Sequence, residues 1–208
     1  HPQAGVGLDA GGAVGRFVFE MSERCDFTIG IDTSAAFIRA ARQLMRERSL
    51  TFALREEGLL SREATIRLPD TWRSERVEFL VANALALPFR SNAINLFASL
   101  NLVDKVSAPL EHLREMNRVT RDHDAQFLLS DPFSWTIEVA PSEAWLGGTG
   151  EGRFSGRGQA NIARLLADPE GELAPVWQVD ETGSVWWKIR THANHYELIR
   201  SCFVLARR

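Results

Sequence analysis

Apolar positions along the chain gather into short runs, and most of those runs end on an acid or an amide. Val6-Gly7-Leu8 ends on Asp9, Phe27 to Ile31 on Asp32, Val77 to Val81 on Ala82-Asn83-Ala84, Ala93 to Leu100 on Asn101, and Gln126 to Ser130 on Asp131. Near-continuous apolar runs of this length predict strands buried on both faces. Helical patterns lie between them. Phe17, Val18, Phe19 and Met21 form an apolar side opposite Glu20, Ser22, Glu23 and Arg24. Phe37, Ile38, Ala41, Leu44 and Met45 recur at helical spacing behind a Thr33 or Ser34 cap and run to about Glu47, while Pro109 opens a helix carrying Leu110, Leu113, Met116 and Val119 on one face. Alternation of this kind predicts an α/β, doubly wound, mainly parallel sheet.

Two stretches depart from the alternation. From Ser49 to Glu75 the pattern is irregular, with turn signals at Glu56-Glu57-Gly58 and Leu68-Pro69-Asp70 and an anchor at Trp72. A minimal unit needs only a few residues there, so about 49–76 is an insertion of the kind that serves as a lid or interface. The second stretch, about 133–160, is polar and aromatic, contains Trp145-Leu146-Gly147-Gly148 and a Gly/Arg-rich turn from Gly150 to Gly158, and is expected to cover the substrate. A helix near Asn161 to Leu166 follows. Val176 to Val179, Val185 to Arg190 and Ile199 to Ala206 then predict strands, the last two pairing as an antiparallel hairpin. The whole, 1–208, is expected to be one domain, of a length able to bury a core without metal or disulfide staples.

The glycine turn after the first run narrows the ligand. Asp9-Ala10-Gly11-Gly12-Ala13-Val14-Gly15 lacks the G-x-G-x-x-G spacing of dinucleotide-binding turns. Strand, glycine turn, helix, strand, acid still describes half of a nucleotide-binding unit, with Asp32 placed to accept hydrogen bonds from ribose hydroxyls. A carboxylate at a buried strand end is costly without a partner, which makes Asp9 and Asp32 ligand-facing candidates. The net charge of −3 lacks the basic excess of a nucleic-acid binder, and no apolar run spans a membrane. Two cysteines without C-x-x-C, Cys25 and Cys202, read as free thiols of a reducing cytoplasm ahead of a structural disulfide. The chain begins at His1 without a methionine, as a chain does whose leader has been removed or left out. His192 and His195, three apart on a predicted strand, point to opposite faces and make no metal pair; no metal is expected.

Asp-x-Gly-x-x-x-Gly after the first strand resembles motif I of the class I S-adenosylmethionine-dependent methyltransferases. From Gly7 onward the chain further resembles the mercaptohistidine methyltransferase domain of ovothiol-type synthesis. That likeness rests on Leu8 to Arg16, Gly30 to Ser34 with Phe37-Ile38, Glu56-Glu57-Gly58, Asn101 to Asp104, Pro132 to Trp135, Pro141 with Trp145 to Gly148, and Ile189-Arg190. It implies a seven-stranded Rossmann-like sheet of order 3-2-1-4-5-7-6 with the last strand antiparallel, S-adenosylmethionine as cofactor and S-adenosylhomocysteine as product. Gly11, Gly12 and Gly15 would face the methionine part, with Asp9 ordering the loop; Asp32, with Thr33 beside it, would take the ribose, Asn83 and Ala84 the adenine edge, and Asn101 with Leu102 would flank the sulfonium. Trp135, Trp145 and Arg190 would form the acceptor pocket.

Asn83 stands where the family has aspartate, Gly12 where it has cysteine, Thr191 to Tyr196 where an Arg-Arg and Gln are expected, and the segment before the first strand is short. Displacement at a sulfonium requires positioning and exclusion of water rather than a triad or metal. Should the acceptor nitrogen arrive protonated, His192, His195, Tyr196 and Glu138 are the candidate bases. The expected function is N-methylation of the imidazole of a thiol- or selenol-substituted histidine by a cytoplasmic monomer or homodimer. Another small acceptor, or a cofactor-binding module without catalysis, is the alternative.

Overall fold

The computed structural model describes residues 5–208; the first four, and with them the readings of a leader and a short leading segment, lie outside the described residues. Strands β1 (Val6–Ala10), β2 (Phe27–Asp32), β5 (Val77–Val81), β6 (Leu96–Leu100), β7 (Gln126–Asp131), β8 (Gln178–His192) and β9 (His195–Arg207) form one sheet in the order β5-β2-β1-β6-β7-β9-β8. Counted along this sheet alone, that is 3-2-1-4-5-7-6. β9 runs antiparallel to both β7 and β8, and β5 through β7 are parallel.

Both faces are covered. On one, Val18 and Phe19 of α1 (Arg16–Met21) and Ile38, Ala41 and Leu44 of α2 (Ala35–Glu47) pack on Val77 and Phe79. On the other, Leu113 and Met116 of α3 (Pro109–Val119) and Ile162 and Leu166 of α4 (Gly158–Leu166) join Leu8, Phe97 and Phe127. Each fully buried Leu or Phe contributes roughly 1.5–3 kcal/mol relative to exposure. The caps follow the sequence: Ser34 Oγ accepts from Phe37 N, and Pro109 occupies the first turn of α3.

The insertion is not irregular. It holds a two-stranded antiparallel hairpin, β3 (Ser49–Glu57) and β4 (Leu60–Arg67), turning at Gly58 with φ 53°. Its alternation is blurred because a hairpin outside the main sheet has no deep core face; Phe52 and Ile66 remain 38% and 42% exposed. Arg48 ties its root down, donating to the carbonyls of Pro69 and Trp72 and to Ser74 Oγ. At the C-terminus the runs 176–179 and 185–190 are largely one strand: β8 spans 15 residues through Gly183, where the aromatic ring of Phe203 leaves no room for a Cβ. The fourth run also shortens, beginning at Leu96, because Ile94 instead bridges to Thr120.

Candidate functional site

β1, β2, β5 and β6 bring their carboxyl ends to one rim, with the change of winding direction between β1 and β6, the position where such sheets hold ligands. The glycine loop is drawn onto β2: Gly11 N and Gly12 N both donate to Ile31 O at 2.9 Å. Asp32 locks the loop from the other side, its Oδ2 accepting from Ala13 N at 3.1 Å and its Oδ1 from Ser34 N at 2.8 Å. Carboxylate oxygens accept more than one bond each, so Asp32 retains capacity toward a ligand.

A cavity of about 310 Å³ opens here. Gly11, Asp32, Thr33, Asn83, Ala84 and Leu102 line it, six of the ten residues the sequence assigns to the cofactor. The other four stand behind or beside it. Gly15 is the left-handed N-cap of α1 (φ 89°), and a Cβ there would lie 2.3 Å from the Phe79 ring, so packing alone demands glycine. A Cβ on Gly12 would lie 3.1 Å from Asp9 Oδ2. Asp9 is buried, with Oδ1 lacking any hydrogen-bond partner among the described residues, and burial followed by repulsion from Asp32 pushes its carboxyl up to about 8. Asn101 also lies outside the cavity lining, at φ 56° on the end of β6.

Sequence reading missed Ile31, Ala82, Leu85, Lys105, Val106 and Ser107 in the lining. The last three were within reach, since they continue the same strand-end loop past Leu102. It also missed a support. His112 is fully buried, its Nδ1 donating to Ala84 O at 3.2 Å and its Nε2 accepting from Ser99 Oγ at 2.8 Å. Burial lowers its pKa to about 4, so a neutral ring pins the backbone of the cavity wall.

Segment 133–160 is rooted on two buried acids. Asp131 Oδ1 accepts from Phe133 N and Asp104 Oδ2 from Ser134 N, both at 2.7 Å. Burial, then the charge of Asp104, raises Asp131 to about 7. Trp135 stacks on Trp145 at 6.2 Å, and Trp145 Nε1 donates to Ala140 O. A Cβ on Gly147 would meet Gly158 N at 2.3 Å, which explains glycine in that element.

Trp135 and Trp145 line cavities of about 220 and 470 Å³ distinct from the first, and Arg190 lies on the far part of β8 with its guanidinium 5.8 Å from the Tyr196 ring. The structure pairs the two tryptophans but brings neither into the cavity at Asp32. Glu138 is exposed in segment 133–160. His192 and His195 are not on one strand: they flank the Ala193-Asn194 turn as a cross-strand pair, with ring centroids 5.6 Å apart. The expectation of opposite faces fails because a turn falls between them. His192 Nδ1 accepts from Asn194 N and His195 Nδ1 bonds the Thr191 hydroxyl; with Tyr196 they form the hairpin tip, outside the cavity lining.

That tip is tethered. Ala193 N donates to Glu56 O at 3.2 Å, joining the β8–β9 hairpin to the β3–β4 hairpin, which precedes the opposite edge strand β5. β9 pairs Cys202 with Asp131 at the end of β7, so the residues before Cys202 continue beyond the carboxyl ends of the parallel strands.

Residues 8–124, more than half of the chain, match the family model described as a methyltransferase domain. No curated protein matches. Among solved structures, a SAM-dependent methyltransferase from Methanosarcina mazei aligns with TM-score 0.61 at 18% identity, covering 99% of this chain and 93% of its own. YcgJ from Bacillus subtilis aligns at 0.59 and 13%, with coverages of 99% and 93%, and a SAM-dependent methyltransferase from Aquifex aeolicus at 0.54 and 16%, with 97% and 80%. The chain belongs to the methyltransferase-domain family and is a class I, S-adenosylmethionine-dependent enzyme.

Proposed function

We propose that the chain N-methylates the imidazole of a small thiol- or selenol-substituted histidine. S-adenosylmethionine, when bound, supplies an electrophilic methyl on a sulfonium. The residues present fit that cofactor: the buried Asp9 Oδ1 lacks a partner among the described residues and suits the ammonium of the methionine part, and Asp32 has capacity for ribose hydroxyls. Asn83 Oδ1 is already taken by Leu85 N at 2.9 Å, which leaves the amide N–H groups for a ring nitrogen of adenine. In that respect asparagine differs from an acidic residue, which would offer only acceptors.

The observation that carries the acceptor reading is the Ala193–Glu56 junction. Glu56-Glu57-Gly58 and Ile189-Arg190, elements of the mercaptohistidine resemblance, belong to two hairpins that meet on the ligand side of the sheet. Insertion 49–76 and segment 133–160 act in this reading as covers that keep water from the transfer site. His192, His195, Tyr196 and Glu138 stand as bases available when the covers close, Arg190 as a partner for the amino-acid carboxylate, and Trp135 with Trp145 as the lid's aromatic support.

The test is product formation, followed by mass spectrometry, from S-adenosylmethionine and 5-mercaptohistidine, its selenol analogue, histidine, and a panel of other small nucleophiles. Methylation on ring nitrogen of the substituted histidines alone supports the reading. Turnover confined to a different acceptor overturns the substrate, and tight S-adenosylhomocysteine binding with no turnover of any acceptor overturns catalysis.

A further inference from the structure

Two strand residues and the residue that follows β6 form a hydrogen-bond chain beside the cavity. Trp187 Nε1 of β8 lies 2.9 Å from Ser201 Oγ of β9, and Ser201 Oγ lies 2.7 Å from Asn101 Oδ1 at the end of β6. The direction of each bond follows from chemistry. An indole N–H only donates, so Ser201 accepts from Trp187 and has its own proton to give. That proton goes to Asn101, which must present its oxygen to Ser201, and the amide N–H groups of Asn101 then point the other way. No protein partner takes them among the described residues, while Ser201 itself is fully buried.

Location argues for what they address. Asn101 is outside the cavity that holds Asp32 and Asn83, although its neighbour Leu102 is inside it, so Asn101 stands on the β9 side of the cofactor position. Ser201 is the β9 residue immediately before the last pair with β7, which places the chain at the sheet's ligand rim. On the same face of the β8–β9 ladder as Trp187 and Ser201 lie Val185, Ile189 and Ile199, with Val185 43% and Ile189 41% exposed, bordered toward the hairpin tip by the exposed Glu197 opposite Ile189. A donor amide beside a flat apolar wall recognises a planar molecule that carries a lone pair.

We propose that Trp187 and Ser201 are positioning residues that hold Asn101 as a hydrogen-bond donor to the methyl acceptor, selecting a planar acceptor that presents a lone-pair atom rather than an N–H group. This rests on the methyl-transfer reading above and deepens it: the Asn101 amide bonds the acceptor, while the Trp187 side of the hairpin packs its ring.

Steady-state kinetics with S-adenosylmethionine and 5-mercaptohistidine, beside calorimetric titration with S-adenosylhomocysteine, tests it on Ser201→Ala, Trp187→Phe, Ser201→Thr and Asn101→Asp. The expected result is an acceptor KM raised about 10-fold in Ser201→Ala and Trp187→Phe and more in Asn101→Asp, with S-adenosylhomocysteine affinity within about 2-fold, and with Ser201→Thr near wild type. Unchanged acceptor KM in folded Ser201→Ala and Trp187→Phe overturns the proposal, as does an equal loss of S-adenosylhomocysteine affinity. If wild type does not turn over 5-mercaptohistidine, the acceptor reading fails and the chain is read by NMR instead. The Asn101 side-chain amide signals, assigned by their loss in Asn101→Asp, then shift in both Ser201→Ala and Trp187→Phe if the relay stands. A shift in Ser201→Ala alone overturns it.

Discussion

The rim of the parallel sheet and the two hairpins beyond it are built by opposite means. At the rim nearly every residue has a structural duty that leaves a defined remainder for ligand: Asp32 binds two backbone amides and keeps spare lone pairs, Asn83 spends its oxygen on Leu85 and keeps its N–H groups. In the β3–β4 hairpin little is committed. Leu59 is completely exposed, and the space around Gly58 is open. The first region is closely constrained by packing and hydrogen bonds. The second, tied to β8–β9 by the Ala193–Glu56 backbone bond, carries few such constraints.

Substitution of matched glycines breaks the comparison most sharply. Gly15→Ala places a Cβ in the Phe79 ring at a left-handed residue and is expected to destabilise by about 3 kcal/mol or more, read as a fall in the denaturant midpoint. Gly58→Ala, also left-handed but in open space, should cost only about 1 kcal/mol. Comparable losses would dissolve the distinction.

Next in size is Asp32→Ala, expected to weaken S-adenosylhomocysteine about 100-fold by calorimetry, with NAD as a control ligand that binds neither protein. Retained affinity would remove Asp32 from the ribose site.

Asp9 sets a pH dependence. Its folded pKa, about 8, is raised above the ordinary carboxyl value of 3.8, so its contribution to stability is fully present below about 4 and is lost as pH rises through 8. Pairing with a ligand ammonium requires the ionised form, so S-adenosylhomocysteine affinity should climb by up to about tenfold per unit from pH 6 toward 8, with proton release on binding. Asp9→Asn should flatten both trends. His112 works oppositely: its pKa is lowered to about 4, and stability should fall as pH drops from about 6.5 toward that value.

Ala193→Pro gives the smallest effect. It removes the N–H that reaches Glu56 O, and should raise acceptor KM several-fold while changing stability by less than about 1 kcal/mol and leaving S-adenosylhomocysteine affinity unaltered.

Strand ends were legible because a buried strand must be apolar along its length, so a polar residue closing it is conspicuous; Asp32 and Asn83 were found that way, while Thr33 and Ala84 came with the family resemblance. Ile31 and Leu85 were not, since an apolar residue lining a cavity looks like one lining a core. His192 and His195 were misplaced because the turn between them, Ala193-Asn194, carries no glycine or proline to announce it. The β3–β4 hairpin escaped because exposed strands are not obliged to alternate.

By itself the sequence determined the order of the parallel strands and their helices, the glycine loop and the rim acids, because burial on both faces and left-handed turns restrict residue type locally. Which groups on that rim remain free is settled by a local turn at Asn83 and by the tertiary structure alone at Asn101. Asn83 and Asn101 are chemically identical amides: Leu85 N, two residues on, takes the oxygen of the first, Ser201 with Trp187 behind it takes that of the second, and each keeps N–H groups that no protein group takes among the described residues. The reason is that a hydrogen bond's direction is set by both partners, and for Asn101 those partners lie 86 and 100 positions away along the chain.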